Sequence, residues 1–225
     1  MIESPEGSFL LVNKPIEWTS FDVVNKLRYL LKIKKIGHAG TLDPLATGLL
    51  IICTGKMTKR LDEFQGLEKE YVGNFVIGQT TSSFDLETEP TSPQEISHIT
   101  PELIIGAAHS FVGKIQQVPP AHSSIKVNGK RAYTFARKGQ EIELKSREVE
   151  IREFEITHIS KPTVGFRIVC SKGTYIRSLV YDVGSSLGVG AYLSELCRTR
   201  IGSYSLTQAE TLEDIRQRVQ ELPPL

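Results

Sequence analysis

The sequence predicts an α+β fold, a mixed and mostly antiparallel sheet with flanking helices. Apolar and polar residues alternate over residues 71–77, 148–159 and 163–170, which is the period of half-buried strands. Residues 20–31 and 175–187 instead repeat their apolar side chains at helical spacing. Since these segments do not alternate as regular βαβ units, an antiparallel sheet is favoured over a parallel one.

The first third of the chain begins with a strand predicted at residues 9–12. Ser20 is the predicted N-cap of the helix that follows. The apolar residues that recur on one face of this helix are Phe21, Val24, Leu27 and Leu31. A continuous apolar run at residues 49–53 is typical of a central strand, and residues 56–64 favour a brief helix.

The rest of the chain continues with a polar, proline-punctuated loop at residues 82–97. Thr100 and Pro101 have the order of an N-cap and a first helical residue, which predicts a helix ending near residue 111. The two long alternating segments that follow indicate a hairpin across residues 160–162. Further predicted elements are a short helix at 132–137, a strand region at 191–204 and a terminal helix at 212–219.

Composition limits the classes of function without naming one. The 225 residues suit one large domain or two small ones with a sizeable core. The formal net charge of +1 falls short of the strongly basic balance of many nucleic-acid-binding proteins, so any RNA contact must use a local patch. The basic clusters available for this are Lys32, Lys34 and Lys35; Lys56, Lys59 and Arg60; and Lys126, Lys130, Arg131, Arg137 and Lys138.

The cysteines argue against a disulfide framework and against a metal site. Cys53, Cys170 and Cys197 are an odd number, lie far apart and have no CxxC spacing. Cys53 and Cys170 each end an apolar segment, which predicts that both are buried as small hydrophobic side chains.

The N-terminus has no feature of a secretion signal. It carries Glu3 and Glu6 without an apolar segment, and no apolar run in the chain approaches membrane-spanning length. The sequence therefore predicts a cytoplasmic protein.

Residues 37–50, which read GHAGTLDPLATGLL, place a carboxylate in a glycine-rich turn. Gly40 and Gly48 can adopt positive φ or leave space for a ligand, while Pro44 restricts both itself and the preceding Asp43. A stiffly placed Asp43 suits a catalytic role. An Asp before Pro is nevertheless most often a turn former whose side chain caps its own backbone, so the interpretation depends on other motifs.

Other short motifs follow one another along the chain. They are KP at 14–15, WTS at 18–20, KEY at 69–71, GQTT at 78–81 followed by Asp85, QVPP at 117–120, ARKG at 136–139, SKGTYIRSL at 171–179 and LGVGA at 187–191. Together with the Asp43 turn, this ordered set resembles the TruB family of tRNA pseudouridine synthases over about residues 9–215. The resemblance implies a pseudouridine synthase fold with its active-site cleft across the sheet.

The resemblance implies an enzyme that isomerises uridine to pseudouridine at position 55, in the T loop of tRNA. The reaction breaks the N-glycosidic bond, turns the uracil and rejoins it through C5, and it needs no cofactor. Because uracil in folded RNA is stacked or paired, the base must be flipped into a pocket. Asp43 is the implied central residue, which either attacks carbon or removes a sugar proton.

Two more catalytic residues are implied by the resemblance. Arg177 is expected against Asp43, where a guanidinium would favour the charged carboxylate and lower its pKa. Tyr71 is expected to stack on the uracil and to move the C5 proton. Without the motifs, Arg177 would be interpreted as an ordinary surface arginine and Tyr71 as a half-buried packing residue.

Four residues are implied to bind the substrate. His38 is expected to insert where the flipped base was stacked, and Tyr175 and Leu196 are expected to line the pocket. Asp85 matches an aspartate of the polar loop, without an assigned role. A structural role is the alternative for His38, and core packing is the alternative for Tyr175 and Leu196.

The resemblance also implies how the chain is organised. We expect one catalytic domain over residues 1–225, in which residues 119–145 are a mobile element that closes over RNA and about 186–225 are its C-terminal portion. Family members often add an RNA-binding PUA domain, which a chain ending at Leu225 is expected to lack. The expected partner is the T arm of tRNA, with no membrane, no obligate protein partner and a monomeric state.

The sequence departs from the family pattern at three places. His122-Ser123-Ser124 replaces the usual Tyr-Ser-Ala, Ser82 replaces an Asp, and Cys197 replaces the first of two arginines. None of these positions carries the implied chemistry, so the departures concern contacts with RNA.

Two alternative functions stay open. One is a non-catalytic tRNA-binding or tRNA-folding protein on the same fold, and the other is a pseudouridine synthase with different RNA targets. The first would be marked by loss of Asp43, Tyr71 or Arg177, and all three are present. Dinucleotide-binding and P-loop enzymes are excluded, because Gly188 and Gly190 lack the third glycine of the former motif and the spacing before Gly55-Lys56 does not fit the latter.

Overall fold

A computed structural model of the chain describes residues 7–123, 125–127, 129–136, 138–140 and 143–221. The strands are β1 (Phe9–Lys14), β2 (Ile36–Ala39), β3 (Ala46–Thr54), β4 (Lys69–Ile77), β5 (Gly113–Gln117), β6 (Lys126–Val127), β7 (Lys130–Arg131), β8 (Arg147–Ser160), β9 (Thr163–Cys170), β10 (Ala191–Ile201) and β11 (Tyr204–Ser205). The α-helices are α1 (Ser20–Leu31), α2 (Leu61–Gly66), α3 (Pro101–Ser110), α4 (Ala132–Ala136), α5 (Ile176–Ser186) and α6 (Leu212–Gln220), and 3-10 turns cover Gly55–Arg60 and Leu206–Gln208.

The chain forms two compact units. The first comprises Met1–Val72 and Leu196–Leu225, and the second comprises Gly73–Glu195. Strands β4 and β10 contribute residues to both. Antiparallel pairs predominate among the strands, β10 pairs with β3 in parallel, and helices flank the sheet, so the predicted α+β fold class is confirmed.

Strand β3 is the centre of the first unit. It pairs with β1 along one edge. Along the other edge, its first three residues pair with β10 and its last four with β2. Alternate residues of β3 are buried on opposite faces, Leu50 and Ile52 against α1 and α6, and Leu49 and Ile51 against α2 and its surroundings. Burial on both faces explains why this strand is a continuous apolar run, as predicted.

Helix α1 shows one error in the sequence-based prediction. Its N-cap is Thr19, which forms a reciprocal capping box with Asp22, and not Ser20. The Ser20 hydroxyl is buried and instead bonds both backbone groups of Leu42. Phe21 is wrongly placed on the apolar face, since 61% of it is exposed, whereas Val23 is fully buried. Val24, Leu27 and Leu31 are buried as predicted, so the error is confined to the first turn of the helix.

The second unit follows the predicted hairpin. Strand β8 pairs antiparallel with β9 over residues 151–160 and with β5 along its other edge. Helix α3 begins as predicted, with the Thr100 hydroxyl accepting from the Leu103 amide and Pro101 in its first turn.

Strands β2 and β5 were not predicted from the sequence. Strand β2 occupies residues that were assigned to the glycine turn.

The segment at 119–145 is described in part. It contains the short β6–β7 hairpin and α4, which corresponds to the helix predicted at 132–137. Ser124 and Arg137, which belong to the family motifs, lie outside the described residues, and the predicted mobility of the segment stays a prediction. Cys53 and Cys170 are buried as predicted. No helix within the described ranges has the length and apolar character needed to cross a membrane.

Candidate active site

Asp43 is the first residue of a tight turn at the beginning of β3. Its carbonyl accepts a hydrogen bond from the Ala46 amide at 3.1 Å, and Pro44 occupies the second turn position, which suits its restricted φ. Residues near the start of the chain hold both neighbours of Asp43 by hydrogen bonds. Leu42 bonds to the Ser20 hydroxyl, and the Pro44 carbonyl accepts from the Glu17 amide at 2.9 Å. Asp43 itself is half-buried on a backbone that is constrained on both sides, as the sequence indicated.

Lys14, the last residue of β1, contacts this turn. Its side chain has no exposed surface, and its Nζ donates to the carbonyls of Pro15, Trp18 and Pro44. Burial lowers the pKa of Lys14 to about 8, Asp43 raises it, and Arg198 lowers it. The three carbonyls account for the three donors of a protonated lysine, so this ammonium ties β1 to the turn that carries Asp43.

Leu196 and His38 lie on the two strands that pair with one edge of β3, which follows the Asp43 turn. Leu196 on β10 is in register with Ala46, and its carbonyl accepts from the Thr47 hydroxyl at 3.4 Å. His38 lies on β2 opposite Ile52, half-buried, rather than in a turn as expected. Burial, and to a lesser extent the charge of Arg198, lowers the pKa of His38, which favours a neutral imidazole.

The His38 ring has an unused polar atom. Its Nδ1 is buried and has no hydrogen-bond partner among the residues described here. Because Nδ1 is buried, it can contact a base or a ribose only if the ring moves.

Tyr71 lies on β4, near the end of the part of this strand that belongs to the first unit. Only 8% of it is exposed. The first unit therefore contains Asp43, His38, Tyr71 and Leu196, four of the seven predicted site residues.

Arg177 and Asp85 meet in the second unit. The guanidinium Nε lies 3.5 Å from Asp85 Oδ2, and both side chains are almost fully buried. Nη1 donates to the Ser83 carbonyl and Nη2 to the His122 carbonyl, each at 2.9 Å. Arg177 is thus a buried residue that organises the 81–85 and 121–123 loops, not a surface arginine.

Tyr175 is the residue before α5, and its backbone is held at two points. The fully buried side chain of Gln117 donates to the Tyr175 carbonyl at 3.0 Å and accepts from its amide at 2.8 Å. The Arg147 guanidinium covers the Tyr175 ring at 4.7 Å from its centre, which is a cation–π distance. The backbone bonds and the Arg147 contact therefore constrain the orientation of this half-buried ring.

The departures from the family pattern have simple local contacts. His122 contributes its backbone carbonyl to Arg177, a contact that does not depend on its side chain. The Ser82 hydroxyl donates to that of Thr88 at 3.1 Å. Cys197 is half-buried opposite Thr47, next to Gly48.

The sequence did not reveal the supporting roles of Lys14, Gln117 and Arg198. Lys14 and Gln117 lie in the KP and QVPP motifs, and Arg198 is the second of the two positions at which the family usually has arginines, so membership of these patterns is the signal that could have found them. Each of the three bonds at least one backbone group that is distant in the sequence, and no local pattern identifies such a contact. Within the described ranges, no group of three or more His, Cys, Asp or Glu side chains could hold a metal ion.

Comparisons with known proteins decide the family. The model of the TruB family pseudouridylate synthase N-terminal domain matches residues 28–176, and that of the tRNA pseudouridylate synthase B C-terminal domain matches residues 177–222. This chain belongs to the TruB family of pseudouridylate synthases. The expectation that the chain is an enzyme, an isomerase, is confirmed.

Curated relatives of this TruB-family chain match it over most of its length. The tRNA pseudouridine synthase B of Parabacteroides distasonis is 54% identical over 93% of this chain and 92% of its own. That of Flavobacterium johnsoniae is also 54% identical, over 91% of this chain and 92% of its own.

A solved structure shares the fold of this TruB-family chain. It is an H/ACA ribonucleoprotein bound to a substrate RNA containing 2'-deoxyuridine, with a TM-score of 0.71 at 28% identity. The match covers 95% of this chain and 53% of the solved chain, so this chain spans about half of that protein.

Proposed function

We propose that this chain isomerises uridine to pseudouridine in tRNA, at position 55 of the T loop. The observation that supports this most strongly is the 54% identity, over almost the whole of both chains, to proteins named tRNA pseudouridine synthase B. The second family model, which carries the same tRNA description, matches residues 177–222. The predicted cytoplasmic location agrees with a tRNA substrate and stays a prediction.

The proposed chemistry needs no net oxidation or reduction. The bond between N1 of uracil and C1′ of the ribose breaks, the detached base turns, and C5 bonds to C1′. The proton on C5 then leaves, and N1 ends protonated. Asp43 either attacks carbon and is later displaced or removes a proton from the ribose, and both routes divide one difficult step into easier ones.

The constrained backbone around Asp43 supports its central role. A reacting carboxylate gains from being placed before the substrate arrives, because misplacement by about 1 Å can cost roughly 100-fold in rate. Leu42 and Pro44 are each bonded to the segment at 14–20, so Asp43 has little freedom to move. A residue that served only as a turn former would not need these buried contacts.

The other roles come from the family motifs. We propose that Arg177 pairs with Asp43 and that Tyr71 stacks on the uracil and moves the C5 proton. Tyr175 and Leu196 line the pocket, and His38 takes the place of the flipped base. Asp85 acts through Arg177, since their side chains are 3.5 Å apart and buried.

We also propose that residues 119–145 close over bound RNA within a single catalytic domain. The segment is rich in lysine and arginine and poor in anchoring hydrophobic residues. Phosphate contacts from such a segment order it only when RNA is present. The T arm is the proposed partner, with the enzyme acting as a monomer.

A second candidate is a pseudouridine synthase with another RNA target. The RNA-bound ribonucleoprotein structure supports it, since the same fold there belongs to a complex that is not named for tRNA. The identity of 28% to that chain is about half of that to the tRNA-named relatives, so tRNA is favoured.

Two measurements test the function. The purified chain should release tritium from C5-labelled uridine in a T-arm hairpin, and mass spectrometry of cellular RNA should show loss of pseudouridine at position 55 when the gene is deleted. Release from the hairpin without loss in the cell, or loss at other RNA sites, would favour the second candidate. Binding of the hairpin without any release would favour the non-catalytic alternative.

A further inference from the structure

Arg198 is a buried cation next to the Asp43 turn. It is only 1% exposed, and a guanidinium in this position is costly unless its N–H groups are satisfied. Nε donates to the Leu49 carbonyl at 2.8 Å and Nη2 donates to the Gly40 carbonyl at 3.0 Å. The two acceptors belong to different segments, so one planar group joins them.

The position of the Leu49 carbonyl explains why a side chain must donate its hydrogen bond. On one edge of β3, the pairing with β10 ends at Gly48, and the pairing with β2 begins at Ile51. Leu49 lies in the gap between the two partner strands. Arg198 Nε therefore supplies to the Leu49 carbonyl the hydrogen bond that neither neighbouring strand supplies, and an unpaired buried carbonyl is avoided.

Two glycines of the segment at 37–50 lie against this arginine. Gly48 has φ +103, and a Cβ at this position would lie 2.4 Å from the Arg198 carbonyl oxygen and 2.8 Å from its amide nitrogen. Gly40 has φ +84, and a Cβ there would lie 3.5 Å from Arg198 Nη1. Gly48 thus allows the close approach of the Arg198 backbone, and Gly40 presents its carbonyl in a conformation that few other residues adopt.

The carbonyls of Gly40 and Leu49 are located on either side of Asp43 along the chain. Lys14 and Ser20 fix the immediate neighbours of Asp43, whereas Arg198 connects the two ends of the loop that carries it. Arg198 also lies on the same strand as Leu196, two residues further on. One strand therefore carries both a proposed pocket residue and the bridge to the catalytic loop.

We propose that Arg198 is a positioning residue that sets where the Asp43 carboxylate lies relative to the pocket residue Leu196. Arginine suits this role because its planar fork presents two donors at a fixed angle, whereas lysine is a point charge on a flexible stem. A lysine at 198 keeps the positive charge and can reach one carbonyl, but it cannot bridge both. The inference rests on the proposed function and adds a residue to it.

The test compares Arg198→Lys with Arg200→Lys, a control on the same strand whose guanidinium is 31% exposed and pairs with Glu68 at 2.9 Å. Turnover is followed by tritium release from a T-arm hairpin and is normalised to the folded fraction from circular dichroism. We expect Arg198→Lys to lower kcat by roughly 30- to 100-fold while KM changes by less than about threefold. The control should stay within about twofold in both.

A second variant covers the case in which Arg198→Lys folds poorly. Arg198→Gln is neutral and keeps an amide donor for one carbonyl, so it should show the same loss confined to kcat per folded molecule. The inference is wrong if either folded variant keeps kcat within threefold of wild type, or if the loss appears in KM alone. Wild type is assayed alongside, and its failure to turn over any RNA would overturn the proposed function rather than the role of Arg198.

Discussion

The ammonium of Lys14 donates a hydrogen bond to the carbonyl of Pro44, the residue after Asp43, at 3.2 Å. The donor is on β1 and the acceptor is in the turn that precedes β3, so this bond joins the first strand to the turn that carries Asp43. It also places a positive charge inside the first unit, where burial lowers the pKa of Lys14 to about 8. The contact therefore has a measurable dependence on pH.

We predict that Lys14 makes the unfolding free energy rise with pH. Below pH 8 the lysine is protonated in both the folded and the unfolded chain, and its burial penalty is fully present. Between pH 8 and its usual pKa of 10.5, the unfolded chain binds the extra proton, so stability increases with pH. Relative to Lys14→Met, wild type should gain roughly 2 kcal/mol from pH 7 to pH 9.5.

Urea denaturation at each pH measures this difference. The control is Lys59→Met, which removes an exposed lysine and should follow wild type in parallel. Curves for wild type and Lys14→Met that remain parallel over the whole range would contradict the prediction.

Asp43→Asn should abolish isomerisation while RNA binding stays within roughly tenfold of wild type. The substitution removes the charge needed for the chemistry but leaves the phosphate contacts that dominate affinity. Tritium release from a T-arm hairpin measures the first quantity, and filter binding measures the second. Asp62→Asn, an exposed change of the same type on α2, is the control. Activity of Asp43→Asn within tenfold of wild type would remove Asp43 from its role.

Asp85→Asn should destabilise the second unit. Asp85 and Arg177 are a buried ion pair at 3.5 Å, and removing one partner of such a pair costs about 3–5 kcal/mol. Chemical denaturation compares this variant with Glu89→Gln, an exposed carboxylate on the same loop that should have little effect. A loss below about 0.5 kcal/mol in Asp85→Asn would show that the pair does not support the fold.

The exposed lysines after α1 should contribute phosphate contacts. Lys34 and Lys35 are exposed, and the Lys34 carbonyl accepts from Arg28 Nε at 3.3 Å, which holds this loop against the helix. Lys34→Gln with Lys35→Gln should weaken RNA binding and lower the slope of log affinity against log salt by about 1 to 2. Lys114→Gln is the control, because Lys114 already pairs with Glu148 at 3.3 Å. An unchanged slope in the double variant would place RNA elsewhere.

The segment at 119–145 should gain protection from hydrogen exchange when RNA binds. Its composition is basic and poor in anchoring hydrophobic residues, so its amides should exchange quickly in the free protein. The hairpin of β8 and β9 is an internal reference whose protection should not change. Strong and equal protection of 119–145 with and without RNA would contradict the prediction.

Local signals in the sequence predicted the elements that depend on near neighbours. Thr100 and Pro101 were recognised as the start of α3 because capping involves residues three apart. The hairpin of β8 and β9 was recognised from alternation within each strand. The cap of α1 was predicted at Ser20 and lies at Thr19, because the Ser20 hydroxyl is used by Leu42, a residue that no local pattern identifies.

Sequence by itself determined the family, the fold class and the identity of the candidate site residues, because motifs of fixed order survive in the linear chain. Tertiary structure alone decided how those residues are supported. Arg198 reaches Gly40 across 158 positions, and Arg177 reaches Ser83 across 94. Such contacts follow from strand register and from the need of each buried cation for carbonyl or carboxylate partners, and neither requirement leaves a periodic signal in the sequence.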